Sequence, residues 1–381
     1  MLATRLTTRS LWLLAAVLLA PAAQAGPNAG GVFIGCDFNK DGKGDIARNN
    51  GATGIRVDIM DDTNSVANGN FANGGGVFIM KACGRFNGDG NYDIVSQGGG
   101  SIKVTFVGQD GISQSATAPI FFGDGGGSWV VVDAQDVNGD GVDEIIAVNT
   151  PAGAVRITDV STGSPVHSYL STGGGIWQYM FSGDVNGDKK RDLIFYGPGA
   201  ALGFARANLN GSTTAVFYPQ GGGAWVPTGT GFFDSANPTR TGLVDTGTGA
   251  ALGLYRIRLT DSTGNPTGAP GFISNGSGGF SIRTIADMNN DGIQDLGEFS
   301  SSQNRITTLN GVNKVTQYFG GNAGGTFSLL YAPDTTATSK AYLVSSDASN
   351  NIRVQAQDGT AVSTTNVQVL APNGTLVPPV Y

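Results

Sequence analysis

The chain has 381 residues, a formal net charge of −7, 61 glycines and only 13% charged residues. That acidic balance argues against nucleic acid as a partner, and so much glycine argues against a helical protein. The glycines alternate with Val, Ile, Phe, Trp and Tyr along the chain, which argues against disorder and for many short strands joined by tight turns.

Residues 1–25 read as a secretory signal peptide. They carry Arg5 and Arg9, an apolar stretch from Leu11 to Leu19, and the small-residue site Ala23-Gln24-Ala25. The apolar stretch is too short to span a bilayer, and no other long apolar run follows it. Residues 26–381 are therefore expected to form one exported domain, extracellular or periplasmic, with no membrane span and a monomeric state.

A repeat organises the rest. "DFNKDGKGDI" at Asp37 returns as "RFNGDGNYDI" at Arg85, "DVNGDGVDEI" at Asp136, "DVNGDKKRDL" at Asp184 and "DMNNDGIQDL" at Asp287. Two worn copies start at Asp234 and Asp334, and the tenth position is Ile or Leu in every copy. Each unit after the first follows a glycine-rich loop and an aromatic: Phe78, Trp129, Trp177, Trp225, Phe280 and Phe327. Trp225 stands two residues farther from its unit start than the others, which implies a two-residue insertion.

Within the third unit, "WVVVDA", "IIAV", "AVRITDV" and "VHSYL" read as four strands, with "NTPAG" and "STGSP" as turns. Four short strands per unit of about 50 residues is the arithmetic of a β-propeller blade. The expected fold is all-β: a seven-bladed β-propeller of four-stranded antiparallel blades, stacked so that each buries its neighbour's faces.

The acidic stretch sits between the first and second strands. In "DVNGDGVDE" the alternating Asp136, Asn138 and Asp140 can converge on one point, the Val142 carbonyl can join them, and Glu144 closes the far side. These hard oxygen donors suit Ca²⁺, and no His or Cys is present to suggest zinc. An EF-hand is the competing reading, since residues 287–298 match its pattern. The other units lack its twelfth-position acid, and β-rich segments follow where it needs a helix.

The repeated signature resembles FG-GAP or VCBS repeats, as in the propeller of integrin α subunits, over roughly residues 30–370. The resemblance implies calcium at four loops: Asp37, Asn39, Asp41 and Asp45; Asp136, Asn138, Asp140 and Glu144; Asp184, Asn186, Asp188 and Asp192; Asp287, Asn289, Asp291 and Asp295. About four ions are expected, mainly structural. In the second unit Arg85 replaces the first carboxylate, leaving Asn87, Asp89 and Asp93 as a defective set. In the fourth unit Lys189 stands where a glycine would allow positive φ.

No catalytic group stands apart from these loops, and the single His167 reads as a strand residue. The expected function is a non-enzymatic interaction or adhesion module for a glycan or protein. The alternative is a secreted carbohydrate-active enzyme, a polysaccharide lyase or hydrolase, on the same scaffold. In the resemblance, partners dock on the face opposite the calcium loops, and the first strand lies innermost. Trp129, Trp177 and Trp225 are therefore expected to border a binding surface at the mouth of the central channel. Cys36 and Cys83 are candidates for a disulfide between the first two blades. The tail 373–381 is expected to pack on or pair with the first blade.

Overall fold

In the computed structural model the described residues are 32–61, 64–172, 177–197, 201–207, 213–219, 224–237, 240–276, 279–289, 291–301, 303–321, 328–331, 342–346, 351–357, 362–370 and 376–377. Side chains are described for all of these except 32–35, 201–219, 320–321, 328–343, 346 and 355 onward. The signal-peptide reading, Phe327 and most of the tail fall outside them.

The fold is built from strands that pair with their sequence neighbours. β1 (Val32–Cys36), β2 (Asp45–Asn49), β3 (Ile55–Asp61) and β4 (Asn64–Phe71) form one antiparallel sheet. β5 (Ile79–Gly84), β6 (Asp93–Gly98), β7 (Ser101–Thr105) and β8 (Ile120–Gly123) form the next, and β9 (Val130–Gln135), β10 (Glu144–Asn149), β11 (Ala154–Asp159) and β12 (Val166–Ser171) the one after. Then come β13 (Gln178–Gly183), β14 (Asp192–Tyr196), β15 (Ala201–Ala207) and β16 (Thr213–Pro219). β17 (Trp225–Phe232), β18 (Thr241–Gly247), β19 (Leu254–Thr260) and β20 (Pro266–Ser274) follow, and after them β21 (Ser281–Ala286), β22 (Asp295–Phe299), β23 (Gln303–Asn310) and β24 (Asn313–Gly321). The last sheet holds β25 (Ser328–Tyr331), β26 (Tyr342–Ser346), β27 (Ile352–Gln357), β28 (Val362–Leu370) and β29 (Leu376–Val377).

First strands meet first strands across blades, β5 with β9, β13 with β17 and β17 with β21, so the first strand is the inner one. Apolar residues on both faces of the middle strands are buried between neighbouring sheets. One such cluster joins Val57 and Phe71 of the first blade to Met80 and Ile94 of the second.

The expected seven-bladed ring of four-stranded blades is corrected here. Among the described residues six sheets have four strands each, and the C-terminal sheet departs from that unit with five. The fifth is the tail itself: Val377 and Leu376 pair with Val369 and Leu370 of β28 instead of reaching the first blade as expected. A strand next to it in sequence is the nearer partner, because sequential strands close the shorter connection.

Cys36 at the end of β1 and Cys83 on β5 are joined by a disulfide, with a Cα–Cα distance of 6.4 Å. It ties the first two blades together across 47 residues of sequence. Among the described residues no helix is long and apolar enough to cross a membrane.

Candidate functional site: acidic loops on one face, stacked rings on the other

Each acidic loop turns the chain from the inner strand to the second. The residue after the loop's first position is apolar and buried in every copy with the acidic signature: Phe38, Phe86, Val137, Val185 and Met288. That plug holds the loop to the blade while the acidic side chains stay nearer water.

The loop closes on itself in the same way each time. The first carboxylate accepts from the sixth N–H: Asp37 from Gly42 at 2.9 Å, Asp136 from Gly141 at 2.9 Å, Asp184 from Lys189 at 2.9 Å, and Asp287 from Gly292 at 2.8 Å. The third-position amide donates to the fifth carboxylate in Asn39–Asp41, Asn87–Asp89, Asn138–Asp140, Asn186–Asp188 and Asn289–Asp291, at 2.8–3.1 Å. In the first loop Asp37 Oδ1 and Asn39 Oδ1 both accept from the Asp41 N–H, at 3.1 and 3.3 Å. Asp287 and Asn289 converge likewise on the Asp291 N–H.

These donors are hard oxygens, and the first and third side chains already face one point, which fits a hard cation such as Ca²⁺. Among the described residues, however, no three His, Cys, Asp or Glu side chains gather closely enough to hold a metal on their own. The Asn oxygen and a loop carbonyl would have to complete the set.

The ninth position has a second job. Asp45 accepts from the Phe38 N–H at 2.8 Å and, across the blade, from the Met60 N–H at 2.9 Å. Asp93 does the same for Phe86 and Val107, and Asp295 for Met288 and Leu309. Glu144 reaches Val137 N and Asn138 Nδ2, and Asp192 reaches Val185 N. So this carboxylate staples the loop to its blade, and in those three Asp copies also to the third strand (Met60, Leu309) or to the residue two past its end (Val107). Burial pushes Asp45, Asp93, Asp295 and Glu144 up to about 8, and the backbone amides pull the other way.

Backbone strain falls where the sequence lacks glycine. The sixth position has positive φ in every described case: Gly42, Gly90, Gly141, Gly292, and Lys189 at 69°. The fourth position needs it too, supplied by Gly88, Gly139 and Gly187 but by Lys40 at 61° in the first loop.

The second loop is tied to the third. The Arg85 N–H donates to Asp143 Oδ2 at 2.7 Å, the Asp143 N–H returns to the Arg85 carbonyl at 2.8 Å, and the guanidinium lies 3.6 Å from the same carboxylate. Phe232 and Gln294 repeat this exchange at 3.0 and 2.8 Å. That equivalence corrects the reading of the fifth unit. Phe232 occupies the first loop position and the buried Phe233 is its plug, so Trp225 keeps the usual spacing and the extra residues lie inside the loop.

On the opposite face, the glycine loops are tight turns. Phe78, Trp129, Trp177 and Phe280 each donate an N–H to the carbonyl five residues earlier, on Asn73, Asp124, Thr172 and Asn275. Gly125, Gly126 and Gly127 all have positive φ, which is why the run is glycine.

Four of these aromatics, Phe78, Trp129, Trp225 and Phe280, lie against a basic residue of the third strand of their blade. Arg256 stands 4.6 Å from the Trp225 ring centre, Arg305 4.1 Å from Phe280, Arg156 5.0 Å from Trp129 and Lys103 5.9 Å from Phe78. The other ring neighbour is on the fourth strand: Phe272, Phe319, Tyr169 and Phe121 respectively. Those four outer rings are 54–55% exposed. Trp225 is buried, whereas Trp129 and Trp177 are half-buried. Packing is thus the first role of these tryptophans, and the exposed ring of each described stack belongs to the fourth strand.

The basic residues anchor the glycine loops. Lys103, Arg156 and Arg305 donate to the carbonyls of Ala72, Gly123 and Ser274, each one residue before its loop. Asp245 pairs with Arg256 and Arg258, and Glu298 with Arg305. Neither the basic series nor the outer rings was found from sequence, although "IRVD", "IKVT", "VRIT", "YRIR" and "NRIT" carry the former at one register. His167 packs beside Phe122 and Tyr169, and its Nδ1 is 3.0 Å from Thr158 Oγ1. Burial and the Arg156 charge hold its pKa below the ordinary value.

No known protein family and no curated protein matches the chain. Among solved structures it is similar to BBS1N in complex with ARL6DN, at 11% identity over 91% of this chain and 95% of that one, TM-score 0.52. It is also similar to the β-propeller domain of Cps50 (Swd1) from Myceliophteria thermophila, at 11% identity over 86% and 96%, TM-score 0.51. At such identity the likeness shows the β-propeller fold alone.

Proposed function

We propose that this chain is an exported, calcium-supported propeller of the FG-GAP or VCBS kind that acts as a non-enzymatic interaction module for a glycan or protein. The observation that carries the reading is the row of outer rings, Phe121, Tyr169, Phe272 and Phe319, on the stacks that lead from the glycine loops. Flat apolar rings held on rigid strands are suited to a sugar face or a partner side chain. A propeller similar in fold, BBS1N, is found with a protein, ARL6DN, which is consistent with a partner-binding role.

Calcium would be held by Asp37, Asn39 and Asp41 in the first loop and by the matching side chains at Asp136, Asp184 and Asp287. Its part is to neutralise and stiffen the loops. The ninth-position acids would tie each loaded loop to its blade.

Incubation with a panel of polysaccharides tests the reading against catalysis. Retention of the protein on at least one polymer or protein, with no reducing ends or unsaturated products released, is the expected result. Product release that grows with time would replace this reading with a carbohydrate-active enzyme.

A further inference from the structure

Asparagine followed by glycine recurs along the chain, and that step is chemically fragile. The glycine nitrogen, with no side chain to hinder it, can attack the side-chain carbonyl of the asparagine before it. Where the fold holds either group, the attack is slowed. In the acidic loops the side chain is held. Asn87, Asn138 and Asn186 each give Nδ2 to the fifth-position carboxylate and accept at Oδ1 from the fifth-position N–H. The Gly139 and Gly187 nitrogens are held as well, by Asp136 and Asp184 at 2.5 and 2.6 Å. In the glycine loops Asn73 and Asn275 are buried. Asn310 accepts from Ser235, and the Gly311 N–H donates to the Phe233 carbonyl. Gly69 is fixed in β4 opposite Val57, where a Cβ would meet the Ile112 carbonyl.

Among the described residues the step Asn50–Gly51 stands apart. It opens the turn between β2 and β3. The Asn50 side chain makes no capping bond, and no residue donates to it or accepts from it. The Gly51 N–H is at the first position of a single helical turn, where a helix leaves its amides unpaired. Gly51 is exposed at φ 53°, and nothing lies within 4 Å of where its Cβ would stand, so its peptide has room to rotate. The same turn supports a neighbour. The Gly51 carbonyl accepts from Asn73 Nδ2 at 2.6 Å. Asn73 in turn holds the glycine loop of the second blade, accepting from Gly76 at its side chain and from Phe78 at its carbonyl, both at 2.9 Å.

We infer that Asn50 is a site of spontaneous deamidation, a modification that loosens the glycine loop carrying Phe78. The Gly51 nitrogen bonds to Asn50 Cγ and gives up its proton, and the side-chain nitrogen leaves as ammonia, closing a cyclic imide. Water then opens the ring. Cleavage of the Cγ–N bond leaves aspartate. Cleavage of the bond from nitrogen to the main-chain carbonyl carbon leaves isoaspartate, which lengthens the main chain by a carbon. No oxidant or reductant takes part. The longer link moves the Gly51 carbonyl away from Asn73 and frees the loop that Asn73 holds. The loop lies on the side proposed for partners, yet the chemistry needs no partner, so this inference stands apart from the interaction-module reading.

The test uses the full chain, fresh and after weeks of warm incubation at neutral pH in heavy-oxygen water. Peptide mapping by mass spectrometry should find Asn50 converted at least about tenfold faster than Asn87, Asn138 or Asn186, the scale of the hydrogen bonds those must break. The product should carry heavy oxygen. In protein unfolded by urea the four should react at similar rates. Amide exchange at Gly76 and Phe78 should be faster in aged protein than in fresh. It should stay unchanged in aged Asn50→Gln, whose longer side chain closes the ring far more slowly. Equal rates at Asn50 and the acidic loops in folded protein, or a preference for Asn50 that persists in urea, overturns the site. Conversion of Asn50 with unchanged exchange at Gly76 and Phe78, or the same loosening in aged Asn50→Gln, overturns its link to the loop.

Discussion

Arg305 and Glu298 form a buried ion pair between β23 and β22, with Nε 2.8 Å from Oε2, while the same guanidinium lies 4.1 Å from the centre of the Phe280 ring. One arginine therefore neutralises an acid, stacks on an aromatic and, through Ser274, anchors a glycine loop. Removing Glu298 alone leaves a buried charge unpaired. Glu298→Ala is expected to cost about 3–5 kcal/mol, whereas replacing both partners by apolar residues of similar volume should be far milder. Urea denaturation of the single and double variants checks this, and equal losses in the two would refute it.

Lys189 holds a left-handed backbone conformation that glycine supplies in the sister loops. Lys189→Gly should stabilise the protein by up to about 1 kcal/mol, the steric cost of a side chain there. Part of that gain is offset by the greater freedom of glycine in the unfolded chain. A destabilised Lys189→Gly variant in denaturant titration would show that the strain is relieved in some other way.

Asp295 and Asp287 belong to one loop but should respond differently. Asp295 accepts from two buried backbone amides, so Asp295→Ala should cost on the order of 2–4 kcal/mol even in chelator. Asp287→Ala should cost less in chelator and should lower calcium affinity in calorimetric titration. Identical behaviour of the two variants in both conditions would erase the division between staple and ligand.

The disulfide between Cys36 and Cys83 closes 47 residues of sequence. The chain-entropy relation for a loop of that length gives roughly 4 kcal/mol of stabilisation. Thiol titration of unfolded, unreduced protein should find no free thiol, and reduction should lower the melting temperature. Two titratable thiols would rule the bridge out in the protein as made.

Much of the repeat was legible because the tenth-position Ile or Leu and the acidic spacing are carried by side-chain identity. The fifth unit was misread for the same reason. Asp234 looks like a loop start, but the buried plug Phe233 and the Phe232–Gln294 exchange set the register two residues earlier. The basic residue of the third strand was overlooked because a charge flanked by apolar residues reads as a solvated strand position. Here it is buried by an aromatic from a separate loop, a pairing that only the fold brings about. The tail was expected at the first blade, but its described residues pair with β28, the strand just before them in the chain.

The claim that this propeller is a calcium-supported interaction module is tested most directly on a glycan array. The same protein is applied in calcium and in EDTA, with its metal content measured in each. The account predicts binding to a defined subset of glycans in calcium, weakened when the metal is removed, with the immobilised sugars left intact. Binding unchanged in metal-free protein, or cleavage of the sugars that are bound, would contradict it.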